Sequence, residues 1–577
     1  MDYIAPLGAI GFTLRHIAGF DALIESGAFP GLDWPTAQGV LEAAAGFAAE
    51  RLAPLDAPGD RIGARLADGV VTLPPGYAAA YREWSQAGWN GLALPAAYGG
   101  MGLTAMLNTA AMEIWTSGCM ALLLGPVVSQ GAVEALIAHA DPELRDAWLP
   151  RLMSGEWTAS MALTEAQAGS DLGALTTRAE PGEDGAWRLH GSKVFITYGE
   201  HDLSDNIVHL VLGRLPAAPP GSAGISLFLV PKVLMTADGS PGARNAVHCT
   251  GLEHKLGLHG SPTCSLAFEG AQAWLVGPPH RGLAAMFTVM NRARLATGMQ
   301  ATAIAEKACQ QALAYARERR QGRPAGDGAD AAILGHPDVL RMIAVMQAQT
   351  AAARAIAYAA AYAIDRADHL HDPLAEARAA LLTPIVKAFC SEIGVEVASL
   401  NIQVHGGLGY VEQAGAAQLL RDVRVTPIYE GTNGVQAADL VLRKVLKDGG
   451  AEVVRLIAEL DAIAVAADLP GVAERLAEGL ASLKSATAWL LDHAQDTRAV
   501  LVSSTPYLRL CGVVIGGALL AKGALASRAL AGAEAAGRRI EALAEVYAAH
   551  QLPLAGAMER MVISGGAAIL GARDALS

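Results

Sequence analysis

Trp157-Thr-Ala-Ser-Met-Ala-Leu-Thr-Glu-Ala-Gln-Ala-Gly-Ser-Asp171 divides the chain. On its N-terminal side, segments 40–52 and 104–138 repeat apolar residues at helical spacing. On its C-terminal side, short β-rich runs follow at 193–197, 207–212 and 225–230. Pro181-Gly-Glu-Asp-Gly185 and Pro219-Pro-Gly-Ser-Ala-Gly224 separate them as turn clusters. Strands so spaced predict a small sandwich or barrel. Helical texture returns near Gly282 and runs to about Leu446. Asp448-Gly-Gly450 reads as a break, and the rest, to Ser577, is again Ala/Leu-rich. Helices, then strands, then helices predict an α+β fold that is mainly α. The expected domains are an N-terminal helical domain over 1–155, a small central β-domain over 156–282, a helical bundle over 283–447 and an extra helical domain over 448–577.

Composition supports several packed cores. Of the 577 residues, 52% are hydrophobic and 17% charged, which excludes a disordered chain. The net charge is −13, with no basic tail. From residue 451 onward there are 13 acidic and 11 basic residues, so the C-terminal segment is no polyanion-binding arm. Six cysteines without a CxxC pair point to reduced, buried thiols rather than a zinc site or disulfide framework. The start, Met1-Asp2-Tyr3, lacks the pattern of a secretory signal. The apolar stretches near Met120 and Val513 are broken by Gly, Pro, polar or charged residues and read as buried helices. A cytoplasmic protein is expected; peripheral membrane association stays open. There is no fixed-period repeat and no GxGxxG after a strand, so a Rossmann unit is not expected.

Five blocks could carry chemistry. In Met161–Asp171, Thr164 and Ser170 offer hydroxyls and Gly169 lets backbone N–H groups approach a ligand; a self-satisfied polar turn is the bland reading. Phe195 and Thr197, two apart on a strand, share a face that suits a flat heterocycle or simply a core. Arg317, Arg319, Arg320 and Arg323 close a helix and could hold phosphate oxygens, or merely offset the helix dipole. Gln403-Val-His-Gly-Gly-Leu-Gly-Tyr410 is a helix stop or a backbone path beside a cofactor; His405 more often packs than catalyses. Pro427-Ile-Tyr-Glu-Gly-Thr-Asn-Gly434 places a carboxylate in an apolar, Gly-rich stretch, where burial would raise its basicity. Singly, each block is weak.

In order and spacing, the five resemble the acyl-CoA dehydrogenase family over roughly residues 35–445. Thr164–Asp171 looks like its flavin loop, with Ala166 where a Pro is usual, and Ile428-Tyr-Glu-Gly-Thr432 like its catalytic loop. The resemblance implies FAD between the β-domain and a four-helix bundle. Leu163, Thr164, Gly169, Ser170, Phe195 and Thr197 would flank the flavin, and Thr432 would sit near it. Arg319 would reach a neighbouring subunit's FAD pyrophosphate, and Gln403 and Gly407 the adenosine side. Glu430 would be the catalytic base. Ser170, Arg294 and Gly431 would contact substrate, although Asn291 stands where the family commonly has Asp. The resemblance further implies an acyl-CoA substrate, an electron-transfer flavoprotein as acceptor, a homodimer or homotetramer, and no metal. The extension, the Tyr3-Ile-Ala-Pro6 start and Glu-Gly-Thr-Asn-Gly-Val-Gln436 resemble the 3-methylmercaptopropionyl-CoA dehydrogenase subgroup, whose substrates are thioether and short- to medium-chain acyl-CoA. The rivals are an acyl-CoA oxidase and a non-enzymatic, DNA-associated alkylation-response relative. The latter wants a basic C-terminal domain, which this chain lacks.

Overall fold

A computed structural model describes residues 3–183, 185–236, 238–324, 331–530 and 535–576. The chain forms two compact units: Met1–Gly46 with Ala105–Ser117 and Arg294–Ser577, and Phe47–Thr104 with Gly118–Ala293.

The second unit holds the β-rich segment. Its main sheet has seven strands: β1 (Thr158–Ala162), β2 (Arg178–Pro181), β3 (Trp187–Thr197), β4 (Ile207–Arg214), β5 (Ile225–Pro231), β6 (Val247–Leu252) and β7 (Thr263–Val276). The path runs β6-β7-β3-β2-β4-β1, and β5 pairs with both β7 and β4. Strands β7, β3, β2, β4 and β5 thereby close a ring, a small barrel. Closure explains why β4 and β5 are apolar almost without alternation: they are buried along nearly their whole length. Trp148 packs against Trp157 and Trp274, with ring centroids 5.5 and 5.8 Å away, and fastens a helix (Pro142–Ser154) to this barrel.

The first unit is helical. Its core elements are α1 (Gly282–Glu318, whose residues from Arg294 belong here), α2 (Pro337–Leu370), α3 (Pro373–Ile385), α4 (Ser391–His405) and α5 (Asn433–Asp439). The extension adds α6 (Ala451–Ala466), α7 (Pro470–Asp492), α8 (Thr497–Ala529) and α9 (Ala535–His550). Local chemistry sets these ends. Asp372 accepts from the N–H groups of Leu374 and Ala375, with Pro373 at the first helical position. Asp496 caps α8 through the Ala499 N–H at 3.0 Å. Gly450, at φ +83°, makes the turn into α6. The extension is one compact unit with the bundle, because α8 is apolar nearly all round and packs on α2, α7 and α9.

Among the described residues two helices, Ala105–His139 and Thr497–Ala529, are long and apolar enough to cross a membrane; 67% and 83% of their most apolar windows are buried inside the protein. Core packing already uses that surface. All six cysteines are buried and unbridged. A buried ionic network spans the first unit. Arg354 donates from Nε and Nη2 to Glu113 at 2.8 and 2.5 Å, and from Nη2 to Glu306 at 2.8 Å. The Tyr358 hydroxyl donates to the other Glu113 oxygen at 2.6 Å.

Candidate active site

In the β-unit, the loop after β1 is held by Glu165. Its carboxylate accepts from Lys193 Nζ at 2.8 Å, from the Thr176 and Thr177 N–H groups at 2.7 and 3.0 Å, and from Gln167 at 2.7 Å. Burial alone would raise its pKa; Lys193 and these donors overcome that and hold it well below the usual carboxylate range. Burial brings Lys193 down to about 8 against the pull of Glu165. Glu165 is therefore a structural anchor, and it leaves its neighbours open. The hydroxyls of Thr164, Ser170 and Thr197 make no hydrogen bond among the described residues, and Gly169 and Ser170 are exposed.

Phe195 departs from simple strand alternation. The ladder shifts between the Lys193↔Leu266 and Ile196↔Cys264 pairs, and Phe195 adopts φ +61°. One extra residue on β3 makes a bulge, which re-aims a side chain. Phe195 is 61% exposed, an aromatic surface held in a conformation that costs free energy. Open hydroxyls, an exposed ring and an accessible glycine-containing loop fit the flank of a flavin.

In the helical unit, the candidate base lies on the turn before α5. Glu430 has φ +54° and Gly431 φ +84°, two consecutive left-handed residues. A Cβ on Gly431 would also stand 2.7 Å from Gln436 Nε2. The Gln436 amide donates to the carbonyls of both Glu430 and Gly431 at 3.2 Å, fixing the turn. Thr432 caps α5 through the Val435 N–H at 3.3 Å, and Tyr429 donates to Gln300. Glu430 is half-buried, and desolvation raises its pKa, opposed by Arg294 and Lys387.

Arg294 is 5% exposed, lies 3.5 Å from Asp439 and has a buried Nε without a partner. The structure thus puts it within electrostatic reach of Glu430. Sequence reasoning missed Lys387. This lysine is fully buried on a π-helical stretch (Val386–Cys390), and its ammonium donates to Asn433 Oδ1 at 3.0 Å. Burial brings it down to about 7, while Glu430 favours its charge and Arg294 opposes it. The available signal was a lone lysine within Thr383-Pro-Ile-Val-Lys-Ala-Phe-Cys390.

The remaining predicted residues of this unit lie on other segments. Arg317, Arg319, Arg320 and Arg323 are exposed; among the described residues the Arg319 guanidinium donates to nearby Gln321, at 3.3 Å. Gln403 and Gly407 are exposed beside the exposed Leu408 and Tyr410. His405 stacks on Tyr315 with centroids 4.2 Å apart, and its Nδ1 lies 2.8 Å from the Asn401 carbonyl, so it packs. No cluster of His, Cys, Asp and Glu among the described residues could hold a metal ion.

Three family models describing the acyl-CoA dehydrogenase N-terminal, middle and C-terminal domains match residues 35–156, 160–271 and 280–445. The chain belongs to the acyl-CoA dehydrogenase family. A fourth model, "Acetyl-CoA dehydrogenase C-terminal like", matches residues 456–573, so the extension too is a family element. Among curated relatives, the 3-methylmercaptopropionyl-CoA dehydrogenase of Ruegeria pomeroyi is 43% identical over 541 residues, covering 92% of each chain. A broad-specificity linear acyl-CoA dehydrogenase of Mycobacterium tuberculosis is 34% identical, over 76% of this chain and 74% of that one. Among solved structures, Caenorhabditis elegans ACDH-11 in complex with C11-CoA superposes with TM-score 0.78 at 20% identity, over 96% of this chain and 92% of that one. An acyl-CoA dehydrogenase from Bacillus anthracis, complexed with FAD, gives TM-score 0.73 at 20% identity, over 92% and 89%. These two likenesses concern the fold. The chain is an oxidoreductase, an FAD-dependent acyl-CoA dehydrogenase with an added C-terminal domain.

Proposed function

We propose that Glu430 is the base that removes the α-proton of the acyl-CoA, and that Arg294 and Lys387 keep its carboxylate ionised. The observation that carries this reading is the paired left-handed turn at Glu430 and Gly431, with a desolvated carboxylate facing two buried cations. Backbone held in such a conformation costs of order 1–3 kcal/mol and persists where the surroundings enforce it; here Gln436 and the Thr432 cap do so. Desolvation makes the carboxylate more basic, and the cations prevent it from being protonated outright. An α-C–H lies far outside the range of a carboxylate in water, so the thioester carbonyl must be polarised as the proton leaves.

Bound FAD supplies the acceptor for the hydride leaving the β-carbon. Leu163, Thr164, Gly169, Ser170, Phe195 and Thr197 would flank its ring, with Thr432 near it, and Gln403, Gly407 and Arg319 would reach its adenosine and phosphate parts. Arg319 and the exposed Leu408 and Tyr410 favour a homodimer or homotetramer in which the arginine serves a neighbour's cofactor. The product would be a trans-2-enoyl-CoA, with electrons passing to an electron-transfer flavoprotein. The likeness to the Ruegeria enzyme supports 3-methylmercaptopropionyl-CoA or another short- to medium-chain acyl-CoA as substrate.

Glu430→Gln tests the assignment. It keeps shape and volume and loses the ability to accept a proton. Anaerobic flavin bleaching by a substrate that reduces the parent should slow by at least about 10²–10⁴-fold, with FAD and acyl-CoA still bound. Bleaching at the parent rate would place the base elsewhere.

A further inference from the structure

A cavity of about 340 Å³ opens inside the helical unit. Its walls come from α2 and α3 of the bundle, α6 and α8 of the extension, and Ile17 and Ala18 near the N-terminus. Its apolar wall residues include Leu382, Leu460, Ile463, Ile515 and Leu519. Arg366, Arg378, Arg455 and Lys522 line it too, with Asp372 and Glu459. In a chain of net charge −13, this is a local excess of cations.

The arginines are already engaged. Arg378 makes a fork to Glu459 at 2.8 and 2.7 Å and donates to Glu452 at 2.5 Å. Arg366 pairs with Asp372 at 2.5 Å, and Arg455 with Glu452 and the Leu374 carbonyl. Lys522 differs. Its ammonium donates to the Ile17 carbonyl at 2.6 Å and has no carboxylate within ion-pair distance among the described residues. Burial works against its charge, with Glu459 a weaker opposing influence. Four cations line the hollow with two carboxylates, Glu452 holds Arg378 from beyond the lining, and Lys522 is the lining cation without an ion pair among the described residues. Lys522 is half-buried with a neutral carbonyl as its partner, and an arriving anion would add the missing countercharge.

We propose that this cavity binds the carboxylate of a medium-chain aliphatic acid, head on Lys522 and tail along the apolar wall. At roughly 30 Å³ for each water-sized group, the volume accepts about eleven non-hydrogen atoms, room for an eight-carbon acid. A cation would meet the arginines, and a neutral chain would leave Lys522 unmatched. Because two walls come from the bundle and two from the extension, the bound acid would tie α6 and α8 to α2 and α3 and make the extension a sensor of free acid.

The test titrates sodium octanoate into the FAD-loaded full chain by calorimetry, with the flavin spectrum recorded in parallel. Octanoate should bind with Kd below about 1 mM, leave the flavin spectrum unchanged and raise the unfolding temperature. Lys522→Met should weaken binding at least tenfold at unchanged dehydrogenase activity. Ala359→Leu, which adds bulk to the lining and leaves every cation in the sequence, should do the same. Octanamide and inorganic phosphate should bind at least tenfold more weakly than octanoate. Any of four results overturns the proposal: no binding at 10 mM octanoate; equal affinity of the parent and both variants; equal affinity for octanamide; or octanoate that perturbs the flavin and is displaced by an enoyl-CoA, which would mean it occupies the active site.

Discussion

Lys387→Met should stabilise the protein on the acid side of neutrality while impairing catalysis there. The lysine is fully buried and held at about 7 rather than 10.5. At about 1.4 kcal/mol per pH unit, keeping it charged in the folded state costs about 5 kcal/mol. Below pH 7 it is protonated in both states and the folded protein bears the whole cost. Between pH 7 and about 10.5 the unfolded chain holds a proton that the folded one has released, so stability rises with pH. Methionine fills similar volume without charge. Asn433 Oδ1 loses one donor but keeps the Ser391 hydroxyl at 3.2 Å, a net loss of about 1 kcal/mol. At pH 6 the variant should therefore be more stable by up to about 4 kcal/mol. By pH 9 the parent should have recovered about 3 kcal/mol of that gap. A unit of roughly 340 residues unfolds with an entropy of about 0.7 kcal/mol/K, so the two unfolding temperatures should converge by about 4 °C between pH 6 and pH 9. Scanning calorimetry reads this directly. In the same variant Glu430 loses a cation that favours its ionised form, and the acid limb of the kcat/KM profile should move to higher pH. A temperature gap that stays constant from pH 6 to 9, or a variant less stable at pH 6, would refute the reasoning.

Arg354→Met should destabilise by about 3–5 kcal/mol in denaturant titrations, because Glu113 and Glu306 would be left buried without their cation; a neutral result would mean that the pair protonates at little cost. Arg319→Ala should leave the fold intact and weaken FAD retention, since each charge-assisted hydrogen bond contributes about 1.5–3 kcal/mol; unchanged retention during gel filtration would remove Arg319 from the cofactor site. Cutting the chain after Gly450 should cause aggregation, because α8 would no longer cover Phe389, whose ring lies 2.4 Å from where a Cβ on Gly512 would stand; a soluble, fully active truncation would contradict this.

The fold was largely legible because the two periodicities are clean here. Apolar runs without alternation at 207–212 and 225–230, bounded by Pro/Gly clusters, became the fully buried β4 and β5. Legibility stopped where tertiary packing decides. Asp448-Gly-Gly450 is a turn, as its glycines imply, yet α8 returns the extension to the bundle so closely that the two make one compact unit. No local pattern encodes that. Phe195 and Thr197 were read by strand alternation, and the bulge on β3 is a property of the pairing with β7, invisible in β3 alone.

Glu430 could be singled out because its turn residues are contiguous, whereas the charges that govern it come from elsewhere in the chain. Lys387 lies 43 positions before Glu430 and Arg294 136 before it, on different helices. Arg294 was singled out through the resemblance, as a substrate contact, whereas Lys387 was missed: a cation in an apolar helix reads as a packing fault until its carboxylate is located. The extension reaches this centre from behind. Phe389, two residues from Lys387, packs against Gly512 on α8, and Arg509 on α8 pairs with Glu396 and lies 3.6 Å from Glu392. Glu392 in turn is near the Asn433 amide, at 3.4 Å, and favours the charge on Lys387. Burial raises the pKa of Glu392, and Arg509 counteracts that. A chain of alternating charges therefore runs from α8 through Glu392 and Lys387 to Glu430. Arg509→Met should accordingly let Glu392 take up a proton more readily, weaken the hold on the Lys387 ammonium and move the acid limb of kcat/KM in the same direction as Lys387→Met, by less. Combining the two substitutions should add little to Lys387→Met alone, since the lysine is the only link in that path to the base. Full additivity in the double variant would show that Arg509 acts through packing of α8 and not through charge.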